Sequence, residues 1–166
     1  MSRNNDRTNA WFDDLDGTLD GVTNIVSEKS TEYYKERFIQ KEWEGVPWPA
    51  YQGDPEPTKG SLMMRDNLLF GSIHPSTVNK EIVIISAGGS KVPYARVHNE
   101  GRRVRAVANV RPHHKVNFMG LQKRVQIKGN SRKVDFKMPQ RRFIGPSARN
   151  NKMIRTSIIT YLNQKK

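Results

Sequence analysis

Apolar side chains recur at helical spacing near both ends of the chain. The pattern predicts a first amphipathic helix from Val22 to Trp43, with Asp20 as its N-cap. Gly45 and Pro47 follow at once and predict where this helix ends. A second amphipathic helix is predicted near the C-terminus, where six residues form an i, i+1, i+4, i+5 stripe: Met153, Ile154, Ser157, Ile158, Tyr161 and Leu162.

Shorter elements are predicted in the middle of the chain. Residues 81–87 form a continuous run rich in β-branched side chains, which predicts a strand buried on both faces. Short helices are predicted at residues 62–70 and at residues 94–99, and Gly101 closes the second of them.

From residue 102 to residue 138 the apolar positions recur with period two. Apolar side chains alternate with basic or polar ones, which predicts half-buried strands with a basic outer face. Arg111-Pro112 and the segment 128–130 are turn sequences, so they predict the breaks between these strands. We call residues 102–138 the basic arm.

Together these elements predict an α+β fold. The N-terminal and C-terminal helices are expected to pack on an antiparallel sheet that carries a long basic β-hairpin arm. Residues 1–20 contain many Asp and Asn and few large apolar side chains, which predicts a flexible acidic N-terminal arm. Residues 21–166 are then expected to form a single domain, because a chain of this length buries roughly 70% of its unfolded surface.

Charge is divided unevenly along the chain. Residues 1–100 carry eleven basic and fifteen acidic side chains, whereas residues 101–166 carry eighteen basic side chains and one acidic one. This polarity predicts that one end of the protein faces a polyanion or an acidic partner, with a merely solvated surface as the alternative. The candidates for contact with this polyanion or acidic partner are Arg102, Arg103, Arg105, Arg111, Lys123, Arg124 and Lys128.

Composition excludes several classes of site. The chain has no Cys, which removes disulfides, thiolate nucleophiles and Cys-bound zinc. The four histidines show no metal-binding spacing, so we expect no metal and no cofactor. No apolar run approaches the length of a membrane span, and residues 1–20 do not resemble a signal peptide, so we expect a protein made in the cytoplasm without membrane contact.

The segment Asp14-Leu15-Asp16-Gly17-Thr18 matches the first motif of the haloacid-dehalogenase phosphatases. That chemistry needs the first Asp at the tip of a buried strand, together with a downstream Lys and an acidic pair that holds Mg²⁺. The preceding residues form a poor buried strand, and the acids after Asp66 are isolated: Glu81, Glu100 and Asp135. We therefore expect that Asp14 and Asp16 are not catalytic and that the chain is not an enzyme.

Five segments in a fixed order resemble a known family. An amphipathic helix ends in a segment with Trp and Pro at 42–48, a Leu-rich segment follows at 62–73, and then come the strand 82–87, the aromatic-Ala-x-x-His-x-x-Gly motif at 94–101, and the basic arm with Pro-x-Arg-x-Phe at 139–143. This order resembles the virion-morphogenesis family of tailed phages, the tail-completion or neck proteins. The residues that match the two motifs are Tyr94, Ala95, His98, Gly101, Pro139, Arg141 and Phe143.

Two positions depart from the family pattern. Asp66-Asn67 stands where a small residue and Gly are usual, and Arg142 stands where a second Pro is usual. Within the first motif we expect His98 to make a structural hydrogen bond.

The resemblance implies a structural virion protein. It implies an α+β subunit that forms a ring, with six subunits the expected number, in the neck or at the head-proximal end of the tail. The implied partners are other copies of the chain, the neighbouring connector and tail-tube proteins, and the genomic DNA in the lumen. The alternative class is a free nucleic-acid-binding protein without sequence preference, since the charge of the basic arm suits backbone contact.

Overall fold

The computed structural model describes residues 2–52, 59–115 and 125–165. It confirms the α+β fold, with helices near both ends and four two-stranded antiparallel sheets between them. The sheets pair β1 with β2, β3 with β4, β5 with β8, and β6 with β7. In chain order the elements are α1 (Ser2–Gln40), β1 (Glu42–Trp43), β2 (Val46–Pro47), α2 (Leu68–Gly71), β3 (His74–Val78), β4 (Val83–Ser86), α3 (Ala95–Glu100), β5 (Arg103–Val110), β6 (His113–Lys115), β7 (Val125–Ile127), β8 (Asn130–Lys137) and α4 (Ala148–Gln164).

Helix α1 is longer than the sequence predicts. It begins at Ser2, so the predicted start at Val22 with Asp20 as N-cap is wrong. Leu15 and Leu19 continue the helical spacing of Val22 and Val26, and Asp16 on the same part of α1 pairs with Lys80 at 2.9 Å. The predicted mobility of residues 1–20 stays a prediction. At the other end, Lys41 takes a φ of 55° and terminates the helix three residues before the predicted end at Trp43.

Helix α4 packs on α1, not on a sheet as expected from its apolar stripe. Its N-cap is Ser147, whose side chain accepts a hydrogen bond from the backbone N–H of Asn150. The ring of Tyr161 lies directly against Gly21 of α1. The sequence shows which face of α4 is apolar, but it does not show whether a helix or a sheet covers that face.

The contact between Gly21 and Tyr161 gives a matched pair of substitutions in one helix. A Cβ at position 21 would lie 2.0 Å from the Tyr161 Oη, so we expect Gly21→Ala to lower the free energy of unfolding by about 1–3 kcal/mol. Gly17→Ala meets no atom within 4 Å and should raise it by up to about 1 kcal/mol. Urea unfolding measures both, and equal effects would contradict this α1–α4 packing.

The core lies where the C-terminal end of α1 meets α2, α3 and the segment that precedes α4. Phe38, Ile73 and Phe143 are its fully buried large side chains. The ring of Phe38 packs edge-on against Trp48, with ring centroids 5.4 Å apart. The buried cluster also contains Leu69 of α2, Ala95 of α3, and Val92 in the turn before α3, together with Tyr33 and Tyr34.

The strand predicted at residues 81–87 is buried on one face only. Ile85 packs towards the core, whereas the side chains of Ile82 and Ile84 are 49% and 41% exposed. Among the described residues, α1 is the one element that contacts β3 and β4 extensively, so the expectation of burial on both faces is wrong.

The two short predicted helices have different outcomes. Helix α3 is confirmed at Ala95–Glu100, and Gly101 ends it with a φ of 67°. The helix predicted at residues 62–70 is reduced to the single turn α2, because Met63 and Asn67 take φ values of 65° and 57°, which interrupt a right-handed helix.

Candidate assembly surface

Strands β5 and β8 form an antiparallel ladder of eight residue pairs, from Arg103 opposite Lys137 to Val110 opposite Asn130. We call this pair of strands the ribbon. Their extensive contacts are with each other, and the strand predictions of the basic arm are confirmed here. Because directly opposed residues share a face, the register sorts the ribbon's side chains into two sets.

One set makes an apolar face. Six of its eight positions are apolar, and no helix or other strand among the described residues covers it extensively. Phe136 is 44% exposed there. The members of the apolar face are Val104, Ala106, Ala108, Val110, Asn130, Arg132, Val134 and Phe136.

The other set makes a basic face on which every residue is exposed. Arg103 donates two hydrogen bonds to the Asp135 carboxylate, at 2.6 and 3.0 Å, and Arg105 lies 3.5 Å from the same group. Four basic side chains and one carboxylate leave this face a net charge of +3. Its members are Arg103, Arg105, Val107, Asn109, Ser131, Lys133, Asp135 and Lys137.

The ribbon ends at the pair Val110–Asn130, where regular strand structure is interrupted on both strands at opposite positions. Arg111-Pro112 separates β5 from β6, and Lys128-Gly129 separates β7 from β8, as the turn sequences predict. A Cβ on Gly129 would lie 3.0 Å from the Cδ of Pro112, so the two breaks are in direct contact. Beyond them β6 pairs with β7. The joining residues 116–124 lie outside the described residues, so a single continuous hairpin stays a prediction.

The seven basic candidates therefore separate in space. Arg103 and Arg105 lie on the basic face, while Arg111 and Lys128 are exposed at the break. Arg102 lies at the base of the ribbon, just before β5, and its guanidinium donates a hydrogen bond to the carboxylate of Glu100. Two candidates, Lys123 and Arg124, lie outside the described residues.

The Glu100 carboxylate accepts hydrogen bonds from two arginines, Arg102 and Arg96. Arg96 donates to its other carboxylate oxygen at 2.8 Å. The hydrogen bonds from Arg96 and Arg102 lower the pKa of Glu100. Part of the positive charge at the base of the ribbon is thus neutralised inside the subunit.

At the base of the ribbon the two family-like motifs meet. The Asn99 Oδ1 accepts hydrogen bonds from the backbone N–H groups of Phe143 and Ile144, at 2.9 and 3.1 Å. A Cβ on Gly101 would lie 2.8 Å from the Cβ of Gln140, so both this approach and its positive φ require glycine. Pro139 is half-buried beside this contact. Asn99 is an unspecified position of the motif, and a single sequence contains no signal for it.

Arg141 joins this base to another loop. Its side chain is buried, at 4% exposure, and donates to the carbonyl oxygens of Pro49 and Ala50 at 2.8 and 2.7 Å. Burial lowers the pKa of Arg141. Among the described residues, the arginine that the motif singles out is a structural tie and not a free surface charge.

Phe143 anchors the same segment in the core. It is 1% exposed, and its ring centroid lies 5.1 Å from that of Phe38. The neighbouring carbonyl of Arg142 accepts a hydrogen bond from the Trp48 indole at 2.8 Å, and that of Gly145 accepts one from the Tyr34 hydroxyl at 3.0 Å. The ribbon therefore starts from a rigid base.

The Nδ1 of His98 is buried and, among the described residues, does not make the expected structural hydrogen bond. The His98 ring packs edge-on against Tyr94. It borders a cavity of about 380 Å³ that Tyr94 and Arg141 also line. Its backbone carbonyl, instead, accepts from the Arg141 N–H at 2.8 Å. Burial, and secondarily the charge of Arg141, lower the pKa of His98 from its ordinary value of 6.5.

This shift predicts a pH dependence of stability. Below about pH 6.5 the unfolded chain binds a proton at His98 that the folded chain does not bind, so the free energy of unfolding should fall as the pH decreases. His98→Gln should remove this part of the slope in urea titrations between about pH 7 and pH 5. His74→Gln, at an exposed histidine, is the control and should retain it. An unchanged slope in His98→Gln would contradict the assignment.

The Asp-x-Asp-Gly-Thr segment lies in α1 and not at the tip of a strand. The carboxylates of Asp14 and Asp16 are 78% and 62% exposed. Among the described residues, no three His, Asp or Glu side chains converge as a metal site would require. The placement differs from the phosphatase arrangement, and the absence of catalysis stays a prediction.

The fold and the surface together define a small α+β protein whose two motifs form a rigid base for a two-faced ribbon. The phage virion morphogenesis family matches residues 11–163, so the chain belongs to this family and is a structural or assembly protein of the phage virion. No curated protein and no solved structure matches it. In the part of the chain that the structure describes, every helix is too short or too polar to cross a bilayer.

Proposed function

We propose that this chain is a ring-forming subunit of the head–tail neck or of the tail-completion assembly, joining the head connector to the tail around the DNA channel. Family membership over residues 11–163 supports a role in building the virion. The ring, its position in the neck and its partners, which are the connector and tail-tube proteins, are the content of the proposal.

The ribbon is the observation that carries the proposal. A two-stranded ladder is at best marginally stable in water unless another layer covers it. Here six apolar positions share a face that no element of the described chain covers extensively. Such a surface is expected in a subunit whose fold is completed by assembly.

The base of the ribbon supports the same role. A closed ring requires that every subunit present its contact surface at one fixed angle, because small errors add up around the ring. Asn99, Arg141 and Phe143 tie the base of the ribbon to the core through hydrogen bonds and a buried ring. This rigidity suits a subunit that must repeat one geometry.

Native mass spectrometry of the purified chain, alone and mixed with the connector and tail-tube proteins, tests the proposal. We expect one defined ring, with six subunits the first expectation, and density for the chain at the neck in electron cryomicroscopy of virions. A monomer that binds nucleic acid and is absent from the particle would contradict the proposal and favour a free nucleic-acid-binding protein.

A further inference from the structure

We infer that the two faces of the ribbon have different occupants: the phosphate backbone of duplex DNA lies against the basic face, and a second copy of the chain covers the apolar face. The inference rests on the proposed ring for its second half only. It assigns the contacts residue by residue, since neighbouring residues of a strand point to opposite faces.

The basic face has the composition of a backbone-binding surface. Arg103, Arg105, Lys133 and Lys137 are exposed there, and Asp135 is its only acid. The face presents no aromatic side chain on which a base could stack. Contact with phosphates would therefore be electrostatic and independent of sequence.

The apolar face needs a protein occupant because water is a poor partner for Val104, Val134 and Phe136. The same chain offers a suitable surface at β4, where Ile84 is 41% exposed and Ile82, the residue before the strand, is 49% exposed. Within the described part of the subunit, these two apolar surfaces make no extensive contact with each other. Contact between copies would pair them head to tail, which is the arrangement that closes a ring.

The DNA half is tested by fluorescence anisotropy with the full chain and a duplex of arbitrary sequence over a range of salt concentrations. Arg105→Gln, Lys133→Gln and Lys137→Gln together should flatten the slope of log affinity against log salt by about three units. Asp135→Asn, which removes the only acid of the face, should steepen the slope by about one unit.

Arg132→Gln is the matched control for Lys133→Gln. The two positions are adjacent in β8 but lie on opposite faces, so only Lys133→Gln should flatten the slope, by about one unit. Equal effects of the two substitutions would overturn the assignment of faces. A wild-type chain that does not bind duplex DNA, but loses assembly when the basic face is neutralised, would show an acidic protein there and overturn the DNA half.

The second-copy half is tested by sedimentation and native mass spectrometry. Val134→Ser on the apolar face and Ile84→Ser on β4 should each weaken self-assembly at least about tenfold. Val107→Ser, the same change on the basic face, should leave assembly unaltered. Circular dichroism checks that each variant remains folded.

The outcomes separate this inference from the proposed function. Normal assembly of Val134→Ser overturns the covered apolar face, and normal assembly of Ile84→Ser overturns its counterpart on β4. A wild-type chain that stays monomeric at every concentration, and is also absent from virions, overturns both the ring and the second-copy half. The salt slopes would still decide the basic face independently.

Discussion

Phe143→Ala is expected to lower the free energy of unfolding by about 3–5 kcal/mol, a large part of the stability of a domain of this size. The side chain is 1% exposed and packs on the ring of Phe38, which is itself fully buried. Removing it leaves a cavity in the part of the core that holds the base of the ribbon. Urea unfolding followed by circular dichroism measures the loss.

Phe136→Ala is the control, since it deletes the same atoms from a side chain that is 44% exposed on the ribbon. Its effect on the isolated subunit should be smaller, about 1–2 kcal/mol, because nearly half of the Phe136 side chain stays in water in the folded subunit. Similar losses for both variants would contradict the core position of Phe143.

Arg141→Ala is expected to have the second large effect and to lower the free energy of unfolding by about 2–4 kcal/mol. The buried guanidinium donates to two carbonyl oxygens, of Pro49 and Ala50, and hydrogen bonds from a charged donor contribute about 1.5–3 kcal/mol each. The substitution also leaves both carbonyls without this donor. Thermal and urea unfolding should agree on the direction of the change.

Two variants control for the loss of charge and of shape. Arg142→Ala removes a neighbouring guanidinium that lies 4.9 Å from the centroid of the Trp43 ring and should cost only about 0.5–1 kcal/mol. Arg141→Lys keeps the charge but has no planar fork for two carbonyls, so it should restore only part of the stability. Full stability of Arg141→Lys would show that charge alone matters at this position.

Elements with strong local signals could be predicted from the sequence. Period-two alternation predicted the strands that form the ribbon, because a two-stranded ladder with one apolar face has that pattern by geometry. Gly101 predicted the end of α3, because few other residues adopt its φ of 67° at low cost. Helix α4 was predicted because apolar side chains recur there at the spacing of a helical turn.

Features that depend on tertiary contacts could not be predicted. The ion pair of Asp16 in α1 with Lys80, which is remote in sequence, is one of them. The early start of α1 itself had a local signal, because Leu15 and Leu19 continue the helical spacing of Val22 and Val26. The partner of α4 is another helix, and Asn99 ties two motifs across 44 residues. Local helix and strand propensities carry no information about which residues far apart in sequence come into contact.

The register of the ribbon also constrains how its sequence can change length. On both strands the apolar face takes even-numbered residues and the basic face takes odd-numbered ones, from Val104 opposite Phe136 to Val110 opposite Asn130. A one-residue insertion or deletion within either strand would exchange the faces of every residue beyond it. Among natural relatives we therefore expect ribbons to lengthen or shorten by two residues at a time, with matching changes on both strands.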